Sequence, residues 1–354
     1  MLRRSAGWLA NRSAAPTAVR AVFGYYAHSG TFDYGSLRLK RRVNDVTEEI
    51  LRDAYVDVEE AIAESFGYGY VSFEYDTKLV LPAKLTLGYL YRRLPEDEHT
   101  DAEEITRLAV EALIDGDMRD ALNDEEFDDF EVDFRTDADD DRQIAEIAQE
   151  VLQARVEEQL SRYPEGVREI YDWAVEISER HQDEDEHFRE LMARVPDDNT
   201  ARDAIREEYK FAEFDDEPAL FTEAELSIPY LKTQYDRVGI IYEGMIDMYR
   251  EAGFDIEPSF TRSIVLAIIG AQIWLDDIDD YEADMRDGQL TPVTAEYLLE
   301  PEPAVAYESI VEISEQYLDR ARTEATAADS TLTGIATEYI YRDGDPDVLP
   351  GSKD

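Results

Sequence analysis

The chain of 354 residues contains no cysteine, and only six of its residues are lysine. Without cysteine, the protein has neither disulfide bonds nor thiolate metal sites. Long apolar runs are also missing. The longest, residues 264–275, includes Gln272 and is shorter than the roughly 20 residues that a membrane-spanning helix needs, so we expect a buried core helix there. A glycine-rich phosphate loop, a nucleophile elbow and a serine–histidine–aspartate pattern are absent as well.

Positive charge is scarce, because 84 acidic residues stand against 35 basic ones and give a formal net charge of −49. Such a charge excludes nucleic acid as the main partner, since phosphate binding needs clustered lysine and arginine. The composition is similar to that of salt-adapted cytoplasmic proteins, in which salt screens the repulsion between carboxylates. We therefore expect a halophilic cytoplasmic protein, and most of its acidic runs are interpreted as solvated surface.

The two ends of the chain differ from the rest. Residues 1–50 hold eight basic residues and four acidic ones. We expect residues 1–42 to form an irregular basic arm, which either contacts an anionic membrane surface or folds against the acidic body of the protein. Residues 342–354 are expected to form a flexible tail.

From residue 43 onward, apolar residues recur three and four positions apart, a spacing typical of amphipathic helices. The pattern predicts helices at about 45–65, 78–93, 101–122, 142–161, 165–192, 200–212, 222–251, 259–286 and 303–327. Strands and helices do not alternate along the chain, so residues 43–341 are predicted to form one all-α domain, a single large helical bundle.

An aspartate-rich segment follows the longest apolar run. Aspartate makes up 41 of the 354 residues, so an aspartate motif alone carries little weight in this chain. Its angular position adds information, because about 100° separates successive residues of a helix. On one helix, four aspartates would fall within an arc of about 100°: Asp276, Asp277, Asp280 and Asp284. That arc continues the apolar face formed by Val265, Leu266, Ile269 and Ile273.

If this face points into the bundle, four carboxylates line the mouth of an apolar pocket. Unpaired buried carboxylates are costly and need cations. Oxygen ligands at this spacing suit Mg²⁺, which prefers a few carboxylates together with water and substrate phosphates. A substrate with a long apolar chain and a diphosphate head would match such a site, since the metal neutralises the leaving diphosphate.

The segment from Ile269 to Val293 resembles the aspartate-rich signature of class I isoprenoid synthases. The likeness is closest to the second aspartate motif of the squalene and phytoene synthase branch, and it lies in Asp280, Asp284, Arg286, Gly288 and Pro292. Asp276 and Asp277 also resemble the paired aspartates of polyprenyl diphosphate synthases. The resemblance implies the fold of that superfamily, Mg²⁺ as cofactor, a prenyl diphosphate as substrate, and ionisation of that substrate followed by prenyl transfer or cyclisation.

The resemblance also implies roles for individual residues. Asp276 and Asp280 would be catalytic, and all four aspartates would bind metal. The family carries an earlier aspartate motif on a facing helix, for which the best candidate here is Asp117, Asp120 and Asp124, and the second is Asp137–Asp141. Candidate diphosphate-binding residues are Arg286, Lys232, Arg237 and Arg262, although the last three also suit salt bridges.

The alternative hypothesis is a non-catalytic helical protein, either a divergent relative or a protein that docks to a membrane or a partner through its basic arm. In that protein the aspartates would be ordinary halophilic surface. The direction of the aspartate side chains separates the two hypotheses. Asp276, Asp280 and Asp284 would point into a cavity in the enzyme and into solvent in the alternative.

Overall fold

The computed structural model describes residues 10, 16–30, 35–75, 78–125, 127, 130–195 and 198–352, without the side chains of residues 37, 124, 178, 179 and 181–185. The protein is predominantly helical, with almost no strand among the described residues, which confirms the prediction of an all-α protein. The resemblance to one particular helical fold stays a prediction.

The helices, in chain order, are α1 (Thr17–Ser29), α2 (Gly35–Phe66), α3 (Leu81–Arg93), α4 (His99–Asp124), α5 (Ala138–Leu160), α6 (Glu165–Arg194), α7 (Asn199–Ala204), α8 (Glu223–Leu226), α9 (Leu231–Gln234), α10 (Ile240–Glu251), α11 (Pro258–Ala271), α12 (Asp277–Asp279), α13 (Tyr281–Asp287), α14 (Pro292–Leu299), α15 (Pro303–Ala327) and α16 (Thr331–Asp343). Three π turns continue helices at Ile205–Lys210, Tyr235–Gly239 and Gln272–Asp276. Short 3₁₀ turns occupy Lys78–Val80, Glu96–Glu98 and Pro346–Val348.

Two short strands accompany the helices. Strand β1 (Phe73–Tyr75) pairs antiparallel with β2 (Phe130–Val132), and Phe73 lies opposite Val132. The ring of Phe73 stacks on that of Phe130 with centroids 5.8 Å apart.

The chain divides into two compact units. The smaller unit comprises Tyr34–Asp172 and Met245–Asp255, and the larger unit comprises Met1–Asp33, Trp173–Gly244 and Ile256–Asp354. Helices α6 and α10 each contribute residues to both units.

In the smaller unit, long helices α2, α4 and α5 pack around an apolar core that also contains buried carboxylates. Glu111 of α4 is completely buried and accepts hydrogen bonds from Arg155 (2.6 Å) and Gln159 (2.7 Å). One turn further along α4, Asp115 is also completely buried and accepts from Arg119 (2.6 Å) and from Tyr171 (3.0 Å). Buried charges are tolerated where they are paired and hydrogen-bonded in this way.

In the larger unit, α11 packs along α15 and forms the centre of an extensive apolar cluster. Tyr230 and Tyr317 are among its largest fully buried side chains. Among the described residues, the segment Pro258–Asp279 is long and apolar enough to span a membrane, and 61% of its most apolar 18-residue stretch is buried inside the protein. That burial agrees with the expected core helix.

The ends of several helices follow from local side-chain bonding. Asp137 caps α5, because its carboxylate accepts from the N–H groups of Asp139 and Asp140, both at 3.1 Å. Helix α13 ends at Gly288, whose φ of 75° favours glycine. Thr291 then caps α14, and Pro292 occupies its first turn.

The N-terminal region differs from the irregular arm expected for residues 1–42. Its described part contains α1 and the first turns of α2, so that prediction was wrong there. Helix α1 packs on α16, where a Cβ atom at Gly334 would overlap the ring of Tyr25. One face of α1 is buried, with Ala21, Gly24 and Tyr25 at helical spacing. The basic residues around this helix obscured that pattern in the sequence.

The C-terminal segment also packs on the larger unit as far as Ser352. Leu349 is buried, and the hydroxyl group of Tyr297 donates to the carbonyl oxygen of Pro350 at 2.6 Å. The described residues of the expected flexible tail are therefore held by an apolar anchor and a hydrogen bond.

Candidate functional site

One π turn of the larger unit packs against the helix that a second π turn continues. The turn Tyr235–Gly239 contacts α11, which continues into the turn Gln272–Asp276. Gly239 allows the close approach, because a Cβ atom there would lie 2.9 Å from Cδ2 of Tyr235 and 3.1 Å from Cγ1 of Val265. Single π turns inside helices are uncommon and frequently mark functional sites.

The π turn changes which aspartate points inward. It inserts one residue into the helical repeat, and one residue corresponds to a rotation of about 100°. Asp277 is therefore buried, with 3% of its surface exposed, whereas Asp276 and Asp280 are exposed. The prediction that Asp276, Asp277, Asp280 and Asp284 share one inward face assumed an uninterrupted α-helix, and it was wrong for Asp276 and Asp280.

Asp277 is an unusual buried carboxylate. Burial raises its pKa to about 7, and the nearby positive charge of Arg237 opposes this rise. Gln272 donates a hydrogen bond to the carboxylate. The Oδ2 atom of Asp277, however, is buried and has no hydrogen-bond partner among the described residues. A buried charged oxygen without a donor is costly, so this atom indicates a missing donor or cation.

Asp284 of α13 is the second carboxylate affected by Arg237. It is half-buried, and burial together with the charge of Asp280 raises its pKa to about 6. Arg237 and a hydrogen bond from Thr291 lower that pKa. The charge of Asp284 in turn raises the pKa of Asp277, so the two carboxylates lie in one electrostatic environment. We call Asp277, Asp284 and Arg237 the Asp277 cluster.

The donor set of the Asp277 cluster fits part of a Mg²⁺ site. Among the described residues, no group of three or more histidine, aspartate or glutamate side chains is placed to hold a metal ion. Mg²⁺ is commonly bound through one or two carboxylates, with water and substrate phosphates as its other ligands. The Oδ2 atom of Asp277 and the carboxylate of Asp284 would supply such a pair, and Arg237 suits a phosphate oxygen.

The four residues expected to line a chain pocket belong to the apolar core of the larger unit. None is more than 1% exposed: Val265, Leu266, Ile269 and Ile273. Val265 and Ile269 lie closest to Gly239, and therefore to the π turn that carries Arg237. Their role around a substrate chain stays a prediction.

The four basic residues predicted to bind diphosphate have different surroundings. Lys232 pairs with Asp236 at 3.1 Å, and Arg262 pairs with Glu324 at 2.9 Å. Arg286 is exposed. Of the four, Arg237 is the one whose charge acts on both Asp277 and Asp284.

The candidates for the earlier aspartate motif belong to the smaller unit. Asp117 accepts a hydrogen bond from the hydroxyl group of Tyr75, and Asp120 is partly exposed. The side chain of Asp124 lies outside the described structure. The second candidate, Asp137–Asp141, contains the capping box of α5, which explains why aspartates cluster there.

Known proteins give no further guidance: no family model, no curated protein and no solved structure matches the chain.

Proposed function

We propose that the protein is a Mg²⁺-dependent enzyme similar to class I isoprenoid synthases, which binds a prenyl diphosphate at the Asp277 cluster. The reaction would be ionisation of the allylic diphosphate, followed by prenyl transfer or cyclisation. The acidic, lysine-poor composition supports a salt-adapted cytoplasm as the location of this activity.

The partnerless Oδ2 atom of Asp277 carries this proposal. It lies beside an arginine, follows a π turn and belongs to a segment that resembles the family signature. A purely structural carboxylate at such depth would have donors for both oxygens. The partnerless oxygen is therefore best explained by a ligand that brings positive charge or hydrogen-bond donors.

Each member of the cluster has a distinct task in this proposal. Asp277 and Asp284 hold the metal, and Arg237 binds an oxygen of the diphosphate. The bound Mg²⁺ would neutralise the charge that develops on the leaving diphosphate. Because Asp276 and Asp280 are exposed, we assign the inner metal contact to Asp277. Asp276 and Asp280 would contact the metal from the solvent side.

The activity can be tested by incubating the purified protein in molar KCl with Mg²⁺ and either farnesyl or geranylgeranyl diphosphate. Released diphosphate is measured, and EDTA should abolish its release. We expect Asp277→Asn and Asp284→Asn each to lower turnover by about 100-fold, a typical effect of removing one group that stabilises charge in the transition state. Asp279→Asn is the matched control, since Asp279 is exposed in the same segment.

A protein that shows no turnover, or whose turnover is equal in the Asp277→Asn and Asp279→Asn variants, would contradict the proposal. The exposure of Asp276 and Asp280 favours one alternative, a non-catalytic protein whose aspartates are mostly surface. Thermal unfolding with and without Mg²⁺ separates the two. A stabilisation by Mg²⁺ that Asp277→Asn removes supports a metal site, and its absence supports the non-catalytic protein.

A further inference from the structure

Trp274 lies at the centre of the π turn Gln272–Asp276, which leads directly into Asp277. Trp274 is buried, with 4% of its surface exposed. Its indole ring stacks on the ring of Tyr341, with centroids 5.9 Å apart and planes inclined by 12°. Its Nε1 atom donates to the carbonyl oxygen of Tyr341 at 3.1 Å. The side chain in the middle of the π turn is therefore held by the C-terminal end of α16.

Gly344, directly after α16, brings the chain against the same π turn. Its φ of −64° and ψ of 145° are open to any residue, so the backbone conformation does not require glycine. Space does require it. A Cβ atom at this position would overlap Nε1 and Cδ1 of Trp274, and it would lie 2.8 Å from the carbonyl oxygen of Trp274. The C-terminal chain thus contacts the backbone of the π turn as well as its central side chain.

Beyond Gly344, the chain packs along the residues that follow the π turn. The 3₁₀ turn Pro346–Val348 contacts α12, which begins at Asp277. Leu349 is then buried in the apolar cluster of the larger unit and anchors this end of the chain. The C-terminal chain therefore contacts both the π turn before Asp277 and the short helix that contains Asp277. We call residues 341–349 the C-terminal clamp.

Two features of this part of the chain are unfavourable by themselves. The π turn departs from regular α-helical hydrogen bonding, and such turns are rare. It also turns inward the carboxylate of Asp277, whose Oδ2 atom has no donor among the described residues, and this burial costs free energy. An uninterrupted α-helix would instead bring the exposed Asp280 toward the middle of the apolar face, since about 100° separates successive residues. Contacts from outside the turn must stabilise the observed arrangement, and the C-terminal clamp supplies such contacts at Trp274.

We propose that the C-terminal clamp holds Asp277 in its inward position, with Trp274 and Gly344 as positioning residues. The clamp acts through the π turn, so neither residue is itself catalytic. Its value for catalysis rests on the proposed function, in which Asp277 holds the metal. Its control over the burial of position 277 depends on no activity, so the clamp and the proposed function can be tested separately.

The absence of cysteine makes the burial of position 277 measurable, because Asp277→Cys introduces the single thiol of the chain. We expect this thiol to react slowly with an aromatic disulfide reagent. The rate should rise about 10-fold when Gly344→Val is added, since the new side chain overlaps Trp274. Gly69→Val is the matched control and should leave the rate unchanged, because a Cβ atom at Gly69 would meet no described atom within 4 Å.

A thiol before the π turn separates a local effect from a general loosening of the core. Ile269 is completely buried on α11, and the thiol of Ile269→Cys should react slowly with and without Gly344→Val. A second pair of variants gives the answer if Gly344→Val prevents folding. Tyr341→Ala removes the ring that stacks on Trp274 and should speed labelling at position 277, whereas Tyr341→Phe keeps the ring and should not.

Unchanged labelling at position 277 in the folded Gly344→Val and Tyr341→Ala variants would overturn the proposal. Equal acceleration at positions 277 and 269 would overturn it as well, because the clamp would then stabilise the core in general.

Turnover of a prenyl diphosphate tests the link to the proposed function. We expect Gly344→Val to lower kcat by up to about 100-fold, as small displacements of positioned groups can do. Added to Asp277→Asn, it should cause no further loss, since both changes act on the same carboxylate. Additive losses would contradict the positioning role. Faster labelling at position 277 in a protein that shows no turnover would support the clamp and exclude the proposed function.

Discussion

Two buried carboxylates of the smaller unit differ from two of the larger unit in how many hydrogen-bond donors reach them. In the smaller unit, Glu111 and Asp115 have no exposed surface, and each accepts hydrogen bonds from arginine and from a neutral donor. In the larger unit, Asp277 and Glu296 are almost equally buried, and each retains one oxygen for which the described residues supply no donor. The depth of burial is similar, and the number of donors differs.

This difference separates a structural carboxylate from a candidate binding group. Burial raises the pKa of Asp115, but Arg119, Tyr171 and Gln149 all counteract it. Arg237 and Gln272 leave the pKa of Asp277 at about 7, so its surroundings stabilise the ionised form poorly. A buried network in which every hydrogen bond is made is sufficiently explained by the stability that it adds to the fold. A buried acceptor that is unused and lies in a strained setting indicates a ligand.

The largest effect that the comparison predicts concerns Glu111. Glu111→Ala leaves Arg155 and Gln159 without their buried acceptor, and we expect a loss of about 3 kcal/mol in the free energy of unfolding. Chemical denaturation in molar KCl measures this loss. Glu104, on the same helix, is exposed, and Glu104→Ala should change stability by no more than about 0.5 kcal/mol. Equal values for the two variants would show that the buried network adds no stability.

The pH dependence of stability gives the next largest effect. The pKa of Asp277 is about 7 in the folded protein and near 3.8 in the unfolded chain. Between these values the folded state holds a proton that the unfolded state has released, so the free energy of unfolding should fall as pH rises from about 4 to about 7. Asp277→Asn should remove much of this fall and gain about 1–3 kcal/mol at pH 8.

The measurement is denaturation at a series of pH values in EDTA, so that divalent ions do not stabilise the carboxylate. A smaller dependence should remain in the variant because the pKa of Asp284 is also raised, to about 6. The matched change in the smaller unit, Asp115→Asn, should destabilise the protein, since it weakens the bond to Arg119. Destabilisation by both changes would remove the distinction between Asp115 and Asp277.

The sequence pattern was informative where helices are regular. The predicted helix over 303–327 agrees with α15, and the predicted segment 165–192 lies within α6. Periodicity fails where the backbone departs from 3.6 residues per turn. The segment 222–251 is interrupted at Tyr230, whose φ is positive, and the segment 259–286 contains a π turn. Pro229, directly before Tyr230, is a sequence signal for the first departure. No pattern of residue types indicates the π turn.

The same limit applies to the site. The sequence pointed to the segment around residue 276 and to Arg237, and the structure does connect Asp277, Asp284 and Arg237 electrostatically. Of the four aspartates predicted to face inward, Asp277 is buried, whereas Asp276 and Asp280 are exposed, since one inserted residue rotates the following turn by about 100°. Glu296 produced no signal, because its donors come from distant parts of the chain.

The smallest predicted effect compares two buried tyrosines. Tyr230 donates to the carboxylate of Glu296, whereas Tyr249 of the smaller unit donates to the neutral hydroxyl group of Thr106 at 2.9 Å. Hydrogen bonds to charged groups are worth about 1.5–3 kcal/mol, and neutral ones about 0.5–1.5 kcal/mol. Tyr230→Phe should therefore cost about 2 kcal/mol of unfolding free energy, and Tyr249→Phe about 1 kcal/mol. Denaturation in molar KCl tests both, and a larger loss for Tyr249 would mean that Lys210, whose Nζ atom lies 2.6 Å from Oε1 of Glu296, alone satisfies this carboxylate.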